Sequence, residues 1–394
     1  EAVYAIAVGR GAEEAGHQAR ASLVEGYATL LEQYVQRWQQ WQAQLAAGTR
    51  GALSGVSTTV IKAHESKLIP GALLASLAVP WGFSKGDGDL GGYHLVWPRD
   101  MVQSAGGLLA AGARDEARAA LVYLCATQHA DGHWPQNMWV DGTSYWNGLQ
   151  MDETALPILL ADLAAREGAL LPEDRSERRF WPMMRAAAGY LVCNGPVTEQ
   201  DRWEEDGGYT PYTLGAEIAA LLVAAEWAEQ MGEPELAPYL RATADSWNAQ
   251  IERWLYVSDT PLARRCGVRG YYVRIAQGND DGEGADEYID IRNRPDGDTQ
   301  RRADEIIATD ALALVRFGLR AADDPRIVDT VTAIDATLRT ETARGVVWHR
   351  YTFDGYGEHD DGGPFDGTGV GRGWPLLTGE RAHFELAAGR LDRA

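Results

Sequence analysis

Residues 201–208 read DRWEEDGG, and a helical pattern stands on each side of them. Trp203, Glu204 and Glu205 are adjacent, and two glycines then break the chain. Two neighbouring carboxyl groups can divide the work, one giving a proton while the other holds a substrate hydroxyl. The indole offers a sugar ring a flat apolar wall. Taken alone, the stretch favours the simpler interpretation of a solvated acidic turn. A catalytic interpretation therefore depends on the other motifs of the chain.

The composition is that of a globular protein with a strongly acidic surface. The 394 residues are 45% hydrophobic and 24% charged, and the net charge is -21. This charge predicts that neither nucleic acid nor an anionic membrane is a partner, and it favours a neutral substrate. No apolar run reaches the about 18 residues of a membrane span. Cys125, Cys193 and Cys266 are too widely spaced to suggest a disulfide framework or a metal site.

Aromatic residues with a polar edge outnumber purely apolar ones. The chain has 14 Trp and 16 Tyr against 6 Phe, which is typical of surfaces where rings must face both sugar and water. The simpler explanation is that most of these rings belong to the core.

Helical periodicity dominates the chain after its first residues. Residues 1–10 alternate apolar and small side chains like a strand, and residues 13–48 predict a linker helix. Leu156, Leu159, Leu160 and Leu163 then mark one face of a later helix. We predict helices near residues 52–67, 100–113, 115–129, 151–167, 176–192, 213–231, 233–255, 302–319, 326–341 and 373–391.

Long loops separate pairs of these helices. They cover residues 80–99, 130–150, 194–212, 256–301 and 343–372 and are rich in Gly, Trp, Asp and Pro. Loops beyond about 15 residues are uncommon unless they have a function. The alternation of short and long connections predicts a closed ring of helix pairs, an α/α barrel with its long loops at one end. A helical bundle or a solenoid is the alternative.

Several loops carry dense motifs. Residues 92–100, GYHLVWPRD, offer an indole for stacking, while Arg99 and Asp100 can hold several sugar hydroxyls. Asp100 also suits the cap of the helix that follows. Residues 131–154, DGHWPQNMWVDGTSYWNGLQMDET, combine aromatic rings with amides, as in a sugar cleft or in a compact loop held by its own rings. We predict no metal centre and no cofactor.

Four of these motifs together resemble a known family. They are GYHLVWPRD, LQMDETALPI, DRWEEDGGYTPYTLGAEI and the stretch from RYTFDGYGE to GRGWPLLTGERAHFELAAG. They resemble bacterial glucoamylases of glycoside hydrolase family 15, a family that also holds glucodextranases and bacterial trehalases. The resemblance covers nearly the whole chain. It implies an all-α fold, an (α/α)6 barrel that follows an N-terminal β-sandwich.

The resemblance also implies domain bounds. Residues 1–12 would be a remnant strand of the β-sandwich, residues 13–48 the linker helix and residues 49–394 the barrel. Because a six-pair barrel has twelve helices and about ten are predicted, we expect a barrel that lacks its last two helices at the C-terminus.

The resemblance assigns roles to individual residues. Glu204 would be the general acid, and Glu205 would hold substrate. Two further sets would bind the terminal glucose, a polar set of Arg99, Asp100 and Arg350 and an aromatic set of Trp97, Trp134 and Trp374.

One departure from the family concerns the general base, a Glu in a Pro-Glu-Gln segment that follows the TGER helix. No such segment occurs after Glu380, so we expect the base beyond Ala394. Glu380 is a possible substitute, although a role in bracing the rim of the pocket is favoured. Residues 1–394 alone are therefore expected to be inactive.

The predicted function is an exo-acting, inverting α-glucoside hydrolase of the glucoamylase type, which acts on α-glucans or α-glucosides and releases β-glucose. A trehalase or a glucodextranase is the alternative within the family. Two other classes stay open, a phosphorylase on a similar barrel and a non-catalytic glycan-binding protein.

Overall fold

A computed structural model gives the structure of the protein for residues 2–45, 51, 53–77, 93–176, 178–278, 287–363 and 365–394. Most of these residues lie in helices. In chain order the helices are α1 (Ala12–Glu25), α2 (Tyr27–Gln44), α3 (Ser54–Ala63), α4 (Pro98–Ala110), α5 (Arg114–Thr127), α6 (Met151–Arg166), α7 (Pro172–Ser176), α8 (Trp181–Asn194), α9 (Pro211–Met231), α10 (Leu236–Asn248), α11 (Ile251–Leu255), α12 (Pro261–Cys266), α13 (Leu312–Arg316), α14 (Pro325–Thr337) and α15 (Pro375–Ala387).

The helices form two layers of an α/α barrel. In the inner layer α3 packs on α4, α4 on α6, α6 on α9, α9 on α13 and α13 on α15. Outside them, α5 covers α4 and α6, α8 covers α6 and α9, and α10 covers α9. Helices α6 and α9 are apolar on nearly all sides because each lies between inner neighbours and an outer helix.

Short antiparallel strands lie in the long loops. They are β1 (Asn137–Met138), β2 (Ser144–Trp146), β3 (Tyr256–Ser258), β4 (Gly270–Tyr272), β5 (Tyr288–Asp290), β6 (Gln300–Arg302), β7 (Arg339–Thr342), β8 (Gly345–His349) and β9 (Gly373–Trp374). The pairs are β1–β2, β3–β4 and β5–β6, and β8 is the central strand between β7 and β9. These ribbons give the loops a fixed backbone, so that side chains on them can hold defined positions.

Proline sets where three inner helices begin. Pro98, Pro211 and Pro375 occupy the first turns of α4, α9 and α15. Proline suits this position because its fixed φ fits the helix and its missing N–H would have no partner there. Two tryptophans, Trp97 and Trp374, directly precede two of these prolines and lie at one end of the barrel.

Several predicted elements differ from the observed ones. The linker helix is divided into α1 and α2 at Gly26, whose φ of 91° lies outside the helical region. The helix predicted over 302–319 contains 3₁₀ turns at Ala303–Glu305 and Thr309–Ala311 and only the short α13. There the Ile306 carbonyl accepts a bond from Arg274 N, and Ala308 bridges to Tyr351, so the segment pairs with other parts of the chain.

The N-terminal residues and the helices α3 and α15 bear on the predicted domain bounds. Residues 2–9 form no strand within the described part of the chain, so a remnant of a sandwich there stays a prediction. Val56 and Val60 of α3 and Leu376 and Leu386 of α15 are about half exposed. A barrel that lacks its last two helices stays a prediction. Parts of predicted loops, residues 78–92 and 279–286, lie outside the described residues, as does the first residue of the GYHLVWPRD motif.

The described helices were also searched for membrane spans, and none combines the length and the apolar character that a crossing requires.

Candidate active site

A cavity of about 840 Å³ opens at the end of the barrel where α4 and α15 begin. The structure brings seven of the predicted site residues to it, namely Trp97, Arg99, Asp100, Glu204, Glu205, Arg350 and Trp374. Glu380 also lines it, as do the aromatic residues Tyr93, Trp146 and Tyr356. Residues distant in the sequence therefore meet at one site, which both aromatic rings and charged groups line.

Glu204 stands on a turn built by Asp201. The Asp201 carboxylate accepts hydrogen bonds from the backbone N–H groups of Trp203 (3.2 Å) and Glu205 (3.1 Å). The backbone carbonyl of Asp201 accepts a third hydrogen bond, from Glu204 N at 2.8 Å. The φ of Glu204 is 66°, which is uncommon for a residue other than glycine. Strained backbone of this kind concentrates at functional sites, and here it turns the Glu204 and Glu205 side chains into different surroundings.

The Glu204 carboxylate accepts two hydrogen bonds. Trp97 Nε1 donates to Oε1 at 2.6 Å, and Gln136 Nε2 donates to Oε2 at 2.8 Å. Arg99 Nη2 lies 3.8 Å from Oε1. Burial raises the pKa of Glu204 above its usual value, against the opposing effects of Arg99 and the two donors. A partly exposed carboxyl group with a raised pKa suits a group that must carry a proton near neutral pH.

Glu205 points into a network of cations. It accepts bonds from Arg350 Nη2 (2.9 Å) and Arg274 Nη2 (3.0 Å), and from the Tyr351 hydroxyl. Asn293 Nδ2 donates a longer bond of 3.4 Å. Burial raises the pKa of Glu205, and the two guanidinium groups oppose this shift. Glu205 is thus fixed by its neighbours at the floor of the cavity.

Arg274 is a central residue of this network that sequence reasoning missed, as it missed Tyr351 and Asn293. Arg274 lies two residues after the end of β4 and is fully buried. Its Nε (3.0 Å) and Nη2 (2.6 Å) donate hydrogen bonds to Asp201. It also bonds Glu205 and, through Nη1, Asp206 at 3.0 Å. Three carboxylates of the DRWEED stretch therefore converge on one cation. The available signal was an arginine inside the apolar run YYVRI, because a charge buried in such a run requires partners.

Asp354, four residues later in the chain, holds the Arg350 side chain in place. Its Nε and Nη2 donate to the Asp354 carboxylate at 2.7 and 2.6 Å, and Nη2 also reaches Glu205. The guanidinium group lies 4.9 Å from the Tyr356 ring centre. A ligand contact by Arg350 would therefore come from Nη1, with the other nitrogens fixed by carboxylates.

Arg99 and Asp100 differ in how freely they face the cavity. Arg99 Nη1 bonds Asp152 at 3.2 Å and also donates to Gln150, so buried groups at the start of α6 fix its side chain. Asp100 is 48% exposed. It lies inside the first turn of α4, which begins at Pro98, and so it is not the predicted helix cap. A carboxylate in the first turn still interacts favourably with the helix dipole.

Trp134 does not wall the cavity, which corrects the sequence-based prediction. Only 1% of its surface is exposed, and its Nε1 donates to the Leu124 carbonyl at 3.2 Å, so it belongs to the core. The adjacent segment supplies Gln136 instead, a residue that sequence reasoning had not assigned a role. Trp97 is also buried and acts as a donor to Glu204, whereas Trp374 packs edge-on against Trp203 with ring centres 5.6 Å apart.

Glu380 is engaged with an arginine. Arg202 Nη1 and Nη2 donate to its two carboxylate oxygens at 2.6 and 3.0 Å. Arg202 Nη2 also lies 2.6 Å from Asp310, whose pKa burial raises to about 6. Because one guanidinium group holds both carboxylate oxygens, this geometry favours the bracing role for Glu380 over that of a base.

Comparison with known proteins places the chain in a family. Residues 52–127 and 123–390 match the model of the glycosyl hydrolases family 15. The chain belongs to this family. Within family 15, it is 38% identical over 387 residues to a glucoamylase from Clostridium sp. (strain G0005). The match covers 98% of this chain and 52% of the Clostridium protein, so the chain spans about half the length of that relative.

Solved structures agree with the family 15 assignment. A bacterial glucoamylase complexed with acarbose is 38% identical and superposes with a TM-score of 0.88, over 97% of this chain and 54% of that one. A glucoamylase from Saccharomycopsis fibuligera is 14% identical with a TM-score of 0.60, over 90% of this chain and 73% of that one. The second likeness shows the fold alone. The predicted (α/α)6 barrel is thereby confirmed.

Proposed function

We propose that the whole protein is an exo-acting, inverting α-glucoside hydrolase of the glucoamylase type that releases β-glucose from the non-reducing ends of α-glucans. The observation that carries the proposal is Glu204, a carboxyl group with a raised pKa held by two donors at the wall of a cavity. Two comparisons support it, the 38% identity to a glucoamylase and the likeness to a glucoamylase complexed with acarbose.

In this proposal Glu204 is the general acid. It protonates the glycosidic oxygen as the bond to the sugar breaks, while a water molecule attacks the opposite face of the ring. Burial raises the pKa of Glu204, which favours the protonated form that a general acid needs, and Trp97 and Gln136 stabilise the carboxylate that forms when the proton leaves. An inverting mechanism requires a second carboxylate roughly 6.5–9.5 Å away, so that water fits between the two groups.

The terminal glucose would lie between charged groups and rings. Asp100 presents an exposed acceptor for its hydroxyls, and Arg99, Glu205 and Arg350 supply groups whose positions are already fixed by other bonds. Side chains fixed in advance lose little conformational entropy when a ligand binds. Trp374 would supply an apolar surface at the cavity wall, and no charge on the substrate is required.

The identity of the general base stays a prediction. The carboxylate oxygens of Glu205 and Glu380 already accept hydrogen bonds from arginines, which favours positioning roles for them over the activation of water. We therefore expect the base to be a different carboxylate, in the Pro-Glu-Gln segment that the family resemblance implies.

The test is an assay of the full-length protein against maltose, starch, isomaltose and trehalose, with the product anomer followed by proton NMR. The expected result is β-glucose from maltose and starch. A strong preference for trehalose or isomaltose would instead indicate a trehalase or a glucodextranase. Phosphate-dependent release of glucose 1-phosphate would indicate a phosphorylase. Binding of maltose without turnover would contradict the proposed activity and favour a glycan-binding protein.

A further inference from the structure

The turn at residues 129–133, HADGH, brings two imidazoles and a carboxylate together outside the cavity. The ligand atoms of His129, Asp131 and His133 all lie within 4.8 Å of one another. His133 Nδ1 and Asp131 Oδ1 are 2.6 Å apart, and the two imidazole ring centres are 4.7 Å apart. Sequence reasoning predicted no metal centre and overlooked the four-residue spacing of these two histidines.

The turn is rigid before any ligand arrives. Its backbone closes on itself through bonds from His129 N to the His133 carbonyl (2.9 Å) and from Gly132 N to the His129 carbonyl (3.0 Å). Gly132 has a φ of 107°, and a Cβ there would overlap the Ala186 carbonyl of α8. Only glycine therefore fits at this position, where the turn presses against α8.

Neighbouring side chains fix the turn and its rings. Gln128 Nε2 donates to the Gly132 carbonyl at 2.8 Å and to the Met183 carbonyl of α8 at 3.0 Å. The His133 ring stacks on Tyr190 with ring centres 4.9 Å apart. His129 Nε2 lies 3.2 Å from the Ser144 hydroxyl. Partners of this kind orient a metal-binding imidazole and select its tautomer.

We propose that His129, Asp131 and His133 form a site for a divalent transition-metal ion, with Zn²⁺ as the occupant. Zinc binds imidazole nitrogen and carboxylate oxygen at about 2.0–2.2 Å, and three such ligands leave a fourth position for water. The ion would take the place of the hydrogen bond between Asp131 and His133. Asp131 is exposed, which provides a path of entry, and the net charge of -21 favours a cation.

The position of the site gives the metal a structural role. The chain that leaves His133 passes Trp134, which is buried in the core, and then reaches Gln136, which donates to Glu204. An ion that binds only the folded turn stabilises the fold by RT ln(1 + [ion]/Kd), so the stability of the fold rises with the concentration of free ion. It would thus stabilise the segment that carries Gln136 without contacting the reacting groups.

The test is zinc binding by the untagged chain after removal of metals with a chelator. We expect titration calorimetry with Zn²⁺ to give one saturable site, and Co²⁺ to give the visible absorption of a tetrahedral complex. H129A, D131N and H133A should each weaken zinc binding by at least the 10–100-fold that loss of an outer partner costs. H359A is the matched control, because His359 also pairs with a carboxylate, at 3.3 Å from Asp366, and should change nothing.

A second measurement uses the unmodified chain. Zn²⁺ should protect His129 and His133 from acylation by diethyl pyrocarbonate, mapped by mass spectrometry, and should leave His359 reactive. Absence of a saturable site in the unmodified chain would overturn the proposal. Equal affinity in the H129A/H133A double variant, with its folding verified by circular dichroism, would also overturn it, because the ion would then bind elsewhere.

Discussion

Replacing Arg274 by methionine should destabilise the protein in a pH-dependent manner. Arg274 is fully buried and bonds Asp201, Glu205 and Asp206 at distances of 2.6–3.0 Å. Its removal leaves three carboxyl groups without their shared cation. Removing one partner of a buried ion pair costs about 3–5 kcal/mol. At pH 7.5 this loss is a large fraction of the about 5–15 kcal/mol that stabilises an average protein.

The pH dependence follows from the carboxyl groups that remain. Burial already raises the pKa values of Glu205 and Asp206, and Arg274 opposes both shifts. Without Arg274 these values rise further, so a carboxyl group takes up a proton on folding between its unfolded pKa near 4 and its higher folded pKa. Within this window the free energy of unfolding falls by about 1.4 kcal/mol for each unit that the pH rises, for each such group. The variant should therefore be less stable at pH 7.5 than at pH 5, by at most about 3 kcal/mol for each such group.

The assay is urea unfolding of Arg274→Met and the unmodified protein at both pH values. Arg241→Met is the control, since Arg241 forms an exposed pair with Glu229 and should change little at either pH. Adding Asp201→Asn to Arg274→Met should recover part of the loss at pH 7.5 by removing one unpaired charge. A variant as stable as the unmodified protein at pH 7.5, or equally destabilised at both pH values, would refute this reasoning.

Four further predictions concern the candidate site. In the full-length protein Glu204→Gln should lower kcat by about 10²–10⁴ and preserve maltose binding by calorimetry; near-normal turnover would exclude Glu204 as the acid. Gln136→Met removes a donor that stabilises ionised Glu204, so its pKa should rise and the alkaline limb of the kcat–pH profile should move to higher pH, whereas a downward move would contradict this. Trp134→Phe should cost at least about 1 kcal/mol in thermal unfolding and leave KM unchanged, because it removes a hydrogen bond within the core and leaves a cavity there. Residues 1–394 alone should release no glucose from maltose; release would make Glu380 the first candidate for the base.

The local part of the site was predictable from the sequence because its residues are adjacent. DRWEEDGG places two carboxyl groups and an indole on one turn, and the helix periodicity around it predicts the layers of the barrel. Proline after Trp97 and Trp374 similarly fixes the start of two inner helices, so that the residues before and after it lie at one end.

Other features depend on tertiary contacts that no local pattern encodes. Trp134 and Gln136 stand in the same polar and aromatic loop, yet only Gln136 reaches Glu204. The partners of Arg274 lie about 70 residues earlier in the chain, so the sequence shows a buried charge without showing what neutralises it. Around Ile306, bonds to distant segments outweigh a helical propensity that local sequence alone would favour.

Glu204 and Glu205 are consecutive in the chain, but their hydrogen-bonding partners are different. Trp97 and Gln136 contact the first carboxylate, whereas Arg274 and Arg350 contact the second. An engineer could thus treat acidity and sugar affinity as separate variables. Libraries at positions 97 and 136 would tune the working pH, while changes around position 350 would tune substrate selection.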